Sequence, residues 1–93
     1  MGKPVGADKR RRSKTPRETF GRAVTEMRVQ KEISQVSMAE DLGYSSNYLG
    51  LIERGAANAT CDVMAAISSY FRMSIAQFWT YAEDLQARRI AKR

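Results

Sequence analysis

Hydrophobic positions along the chain recur at spacings of three and four, and never in a sustained alternation of two, so the pattern predicts helices and no strand. The first helix has a well-marked start. Thr15-Pro16-Arg17-Glu18 is a capping box with proline at the first helical position. Phe20, Ala23, Val24 and Met27 then fall at i, i+3, i+4 and i+7, an amphipathic stripe that predicts a helix to about Lys31. Ser34 is the expected cap of a short helix from Gln35 to Leu42, with Met38, Ala39 and Leu42 facing inward. Gly43 suits the left-handed residue that ends it. Ser45 caps the next helix, from Ser46 to about Arg54, with Leu49 and Ile52 inward and Gly55 as the stop. After a loop over 55–59, Thr60 caps a fourth helix with Val63, Met64, Ile67 and Phe71 as its stripe. Ser74-Ile75-Ala76-Gln77 is a second capping box, opening a fifth helix in which Ile75, Phe78, Ala82 and Leu85 recur on one face.

The expected fold class is therefore all-α, a single five-helix domain over 15–86. A basic arm over 1–14 precedes it, and a basic tail over 87–93 follows. The arm has Gly2, Pro4 and Gly6, few apolar groups and a run of cations, and it reads as flexible.

Composition narrows the function. The 93 residues suffice for one domain. With one cysteine, Cys61, and no histidine, an internal disulfide and a cysteine or histidine metal cluster are not expected, nor is the commonest general base. No phosphate loop or nucleophile–base pair stands out, so neither an enzyme nor a cofactor is expected. Cys61 near a helix start is read as packed rather than redox-active. No apolar run approaches a membrane span and no apolar segment follows the charged start. The pattern suits a reducing cytoplasm.

The charge is unevenly spread. Lys3, Lys9, Arg10, Arg11, Arg12, Lys14 and Arg17 oppose only Asp8 in the first seventeen residues, and Arg88, Arg89, Lys92 and Arg93 end the chain, while residues 18–85 are net acidic. Basic arms such as this attract phosphate by releasing counterions, though they also serve simply as solvated tails.

The segment between the second and third helices carries the chemistry. Two short helices joined by Gly43-Tyr44-Ser45 cross at a tight turn, which allows the second to protrude. Met38-Ala39-Glu40-Asp41-Leu42-Gly43-Tyr44-Ser45, Tyr48-Leu49-Gly50-Leu51-Ile52-Glu53-Arg54-Gly55 and Asn58-Ala59-Thr60 resemble the motifs of the Cro/C1-type (xenobiotic-response-element type) helix-turn-helix family, over about residues 20–80.

That resemblance implies a Cro/C1-type fold and a transcription regulator of double-stranded DNA, acting as a homodimer; a repressor is expected in preference to an activator, since nothing in the chain resembles an effector module. It implies phosphate contacts from Gln35 and Ser45, base reading by Ser46 and Asn47, and a thymine-methyl contact for Leu51. Arg54 and Asn58 fall where the end of the third helix and its loop approach phosphate. Arg10, Arg11 and Arg12 would add cations from the arm, by analogy with arms that lie in the minor groove. The resemblance also implies a partly buried, structural ion pair between Arg28 and Glu53.

Some residues depart from the family pattern. Gly50 and Leu51 stand where the family usually places polar residues, and Gly55-Ala56-Ala57 lacks the basic residues often found there. A second reading follows, in which the same scaffold binds another transcription regulator protein as an antiactivator or antirepressor. Trp79 and Tyr81 bear on either reading, as an exposed dimer or partner patch or as residues that close the core.

Overall fold

The computed structural model describes residues 15–91, with side chains described through Arg88. The arm with Arg10, Arg11 and Arg12 lies outside the described residues. Five helices follow in order, α1 (Pro16–Gln30), α2 (Gln35–Leu42), α3 (Ser46–Glu53), α4 (Cys61–Tyr70) and α5 (Ile75–Ala91), and no strand occurs among the described residues.

Local chemistry sets each boundary. In the box that starts α1, the Glu18 amide donates to Thr15 Oγ1 (3.2 Å) and the Thr15 amide donates to Glu18 Oε1 (3.0 Å). The box at Ser74 is likewise complete, with the Gln77 amide on Ser74 Oγ at 3.0 Å and the Ser74 amide on Gln77 Oε1 at 2.8 Å. Ser34, Ser45 and Thr60 each accept from the amide three residues on. These bonds satisfy donors that a helix leaves without partners in its first turn.

The core gathers residues from all five helices. Phe20, Ala23 and Val24 of α1, Met38 and Ala39 of α2, Leu49 and Ile52 of α3, Ile67 of α4, and Phe78 and Ala82 of α5 are buried, as is Phe71 at the end of α4. Phe78 is its aromatic centre, meeting Phe20 edge-on at 5.2 Å and stacking with Phe71 at 5.9 Å. Met27, Leu42, Val63, Met64 and Leu85 are half-buried at its margin. Helix α1 packs against α3 and α5, α2 against α3, and α4 against α5.

Two features differ from the sequence pattern. Ile75 is 37% exposed and lies outside the core. It is the first residue of α5, and the buried stripe of that helix begins one turn later at Phe78. The helix also continues past residue 86 through Ala91, into the stretch read as a tail. Ala87, Arg88, Arg89, Ile90 and Ala91 contain no breaker, and cations favour a helix C-terminus. Trp79, left open between an exposed patch and the core, is half-buried against Phe20 with ring centroids 5.4 Å apart and closes the core.

Two helices end on a left-handed residue that is not glycine. Glu32 has φ 58° and Arg72 has φ 61°. In each case the following amide reaches back to close the end, Ile33 to the Arg28 carbonyl at 3.0 Å and Met73 to the Ser68 carbonyl at 2.9 Å. Both side chains are exposed. A non-glycine residue in this region is strained by about 1 kcal/mol or more. Glu32→Gly and Arg72→Gly are each expected to stabilise the fold by about 1 kcal/mol, read as a rise of several degrees in the thermal midpoint.

Candidate nucleic-acid interface

The surface of interest is built from a turn and two helix starts. At the end of α2, Gly43 has φ 78°, and the Tyr44 amide donates to the Ala39 carbonyl at 2.9 Å. This closes α2 and leaves two residues before α3. Ser45 then caps α3 through the Tyr48 amide at 3.0 Å. Leu49 and Ile52 point into the core, which leaves Ser46 and Asn47 exposed at the tip of α3 and Leu51 half-buried one turn on. Asn47, Leu51 and Arg54 share one face by their spacing of four and three.

One buried carboxylate fixes α3 in place. Glu53 accepts from Arg28 Nε at 2.7 Å and Nη2 at 3.1 Å, a bidentate pair joining α1 to α3. The two side chains are only 14% and 6% exposed. Arg28 Nη1 also donates to the Ile33 carbonyl at 3.0 Å, gripping the link into α2. Gln35 Nε2, from the first residue of α2, donates to Glu53 Oε1 at 3.0 Å. Gln35 is half-buried, and its amide still has a second N–H and an acceptor oxygen for other partners.

Two glycines on these elements behave differently. A Cβ built on Gly21 would run into the backbone carbonyl oxygen of Ile52 and lie 2.6 Å from that of Glu53. Gly21 is thus where α1 and α3 touch backbone to backbone. A Cβ on Gly50 would meet only Arg54 Nη1 at 3.3 Å and the Gln35 amide at 3.5 Å, the movable ends of two side chains. Gly50 is buried because Gln35 and Arg54 lie over it.

The loop after α3 is tied to the start of α1. Gly55 has φ 75°, and a Cβ there would lie 2.9 Å from the Glu18 Cα. Asn58 Oδ1 accepts from Arg17 Nη1 at 3.2 Å. Arg17 and Asn58 also border a cleft of roughly 130 Å³ with Phe20, Ile52 and Trp79 on its walls. Tyr44 and Tyr48 pack edge-on at 5.3 Å and are both half-buried. Burial, with Tyr48 and Asp62 nearby, pushes the Tyr44 hydroxyl above its ordinary pKa.

Gln35, Ser45, Ser46, Asn47, Leu51 and Arg54 are thus gathered on α2 and α3, while Asn58 stands on the adjoining loop with Arg17. Arg17 and Gly21 went unnoticed in the sequence. A glycine inside a strongly periodic helix was the available signal for Gly21, since it often marks close packing. Arg17 had none, because its partner lies 41 residues away. No group of three or more Cys, Asp or Glu among the described residues is placed to hold a metal ion, and no described helix is long and apolar enough to cross a membrane.

A family model described as helix-turn-helix matches residues 24–78, more than half of the chain. The chain belongs to the Cro/C1-type helix-turn-helix family. The solved structures agree. The chain is similar to the clp gene regulator ClgR from Corynebacterium glutamicum, at 25% identity and a TM-score of 0.76, covering 85% of this chain and 84% of that one. A second structure of ClgR from C. glutamicum matches at 25% identity and a TM-score of 0.72, over 77% and 94% of the two chains. No curated protein matches the chain significantly. As the family fold requires, the α2–turn–α3 unit sits on a helical core with α1 behind it.

Three substitutions test this geometry. Arg28→Ala strands the Glu53 carboxylate and is expected to destabilise the domain by about 3–5 kcal/mol in denaturant unfolding. Gly21→Ala is expected to cost roughly 3 kcal/mol, because a helix backbone must move. Gly50→Ala should leave stability unchanged or raise it by up to about 1 kcal/mol, since only side-chain ends must shift and alanine favours the helix.

Proposed function

We propose that this protein is a sequence-specific DNA-binding transcription regulator that inserts α3 into the major groove. The observation that carries the reading is the tight turn at Gly43–Ser45. With its cap and the Glu53 network behind it, the turn presents the tip of α3 to solvent on a fixed support. In this reading Ser46 and Asn47 read base edges, and an asparagine amide suits the paired acceptor and donor of adenine. Leu51 meets a thymine methyl. Gln35, Ser45, Arg54 and Asn58 hold backbone phosphates that set register but carry no sequence information. Arg10, Arg11 and Arg12 of the arm supply the long-range attraction that the acidic body lacks.

A homodimer fits this role, placing two copies of α3 in successive major grooves about 34 Å apart on a palindromic site. In this arrangement the dimer acts as a repressor, by covering a promoter. The protein acts by binding and not by catalysis.

One observation favours a second reading. The outward face of α3 carries the apolar Leu51 on a domain body of net negative charge, which suits contact with another transcription regulator protein. The packing of Tyr48 on Tyr44 and of Trp79 on Phe20 leaves less aromatic surface for such a partner.

A salt titration separates the two. Binding to the chain's own upstream DNA is compared with binding to a scrambled duplex of equal length. Tighter binding upstream with a clear salt slope is expected. Asn47→Ala should then remove about 1–3 kcal/mol of specific binding with an unchanged thermal midpoint. Deleting residues 1–14 should weaken both complexes and flatten the slope. Equal weak binding to both duplexes, lost at physiological salt, would instead favour a protein partner, and Leu51→Glu should then abolish that complex.

A further inference from the structure

The α3–α4 loop faces an electrostatic deficit. Arg54 opens it, but from Gly55 to Thr60 it carries no cation, and the side chains presented there are those of Asn58, Thr60 and three alanines. That stretch has a polar donor for a phosphate oxygen but no charge of its own beside it. The structure brings a charge to it from elsewhere. Arg17, on the first turn of α1, reaches across and donates Nη1 to Asn58 Oδ1 at 3.2 Å. Both side chains are exposed.

The contact is anchored on both sides. Gly55 lies against the Glu18 backbone, closely enough that a Cβ would be 2.9 Å from the Glu18 Cα. The loop is thereby pressed onto the first turn of α1 next to Arg17. Pro16, Arg17, Ala57, Asn58 and Ala59 border one cleft over Trp79. The pairing also orients the two groups usefully. Asn58 Oδ1 accepts from the arginine, which leaves the Asn58 amide nitrogen as a donor for another partner. The guanidinium has five N–H donors and uses one here, so its remaining fork is open to an anion.

Two arginines of α1 are spent on ion pairs. Arg28 is committed to Glu53, and Arg22 to Glu26 at 3.7 Å. Arg17 has no ion pair among the described residues. It also stands three residues after Lys14 of the basic arm, so the arm joins the domain beside this loop.

We infer that Arg17 and Asn58 form a phosphate clasp, in which a backbone phosphodiester of duplex DNA is held between the guanidinium fork and the asparagine amide. The inference rests on the DNA-binding reading above and adds to it a residue from outside the helix-turn-helix. The clasp lends a second cation to a loop whose own charge is Arg54.

The test uses the full chain, with the upstream duplex and its scrambled counterpart as probes. Arg17→Gln keeps an amide donor for Asn58 but removes the charge. It is expected to weaken both complexes about equally, by roughly tenfold, and to lower the salt slope by about one. Arg17→Lys should restore the slope. Asn58→Ala should weaken binding several-fold with the slope retained, and the Arg17→Gln/Asn58→Ala double variant should lose less than the sum of the two. Thermal midpoints should not change, since both side chains are exposed. Wild-type binding with an unchanged slope in Arg17→Gln overturns the clasp alone, and so does strict additivity in the double variant. If the wild-type chain binds neither duplex, the DNA-binding reading fails and the clasp fails with it.

Discussion

A single carboxylate organises the surface of this domain. Glu53 ends α3, yet its two oxygens are bonded to α1 through Arg28 and to α2 through Gln35. Because its side chain is nearly inaccessible, its charge needs partners, and the only arrangement that supplies them places three helices in fixed register. The Arg28 contact with the Ile33 carbonyl extends the grip to the α1–α2 link. The orientation of α3 therefore does not depend on the exposed residues that meet a ligand. Ser46 and Asn47 are free to vary, since they contribute little to the fold.

Backbone approach does the complementary work. Ion pairs set direction, but distance between α1 and α3 is set at Gly21, where no side chain fits between the helices. The same device recurs at Gly55, which lets the loop lie on the first turn of α1. Helix α1 is thus a platform for the C-terminal end of α3 and the loop beyond it. Gly50 contrasts with these. Its missing side chain creates a hollow on the outer side of α3 that Gln35 and Arg54 cover, and both are residues expected to meet phosphate. Contact with a ligand would draw on side chains already packed together.

The distribution of charge is consistent with this division of labour. The folded body is net acidic, its arginines partly spent on internal pairs, while the cations concentrate at the two ends of the chain. A polyanion would be attracted by the ends and read by a nearly neutral helix. The Arg17–Asn58 contact lies where these two parts meet.

Helix starts, stops and the inward faces were legible in the sequence because they depend on neighbours within a few residues. Thr15, Ser34, Ser45, Thr60 and Ser74 each bond an amide three positions away, and Gly43 and Gly55 supply left-handed turns that few other residues tolerate. Family resemblance extended that reading to the pairing of Arg28 with Glu53. What tertiary structure alone decided depends on residues far apart in the chain. The closing of the core by Trp79 follows from where α5 meets α1. The need for glycine at 21 follows from a carbonyl some thirty residues away, and the partner of Arg17 from a loop 41 residues on. Periodicity tells which face of a helix is apolar, but not how near the next backbone comes or which surface side chains meet across the gap.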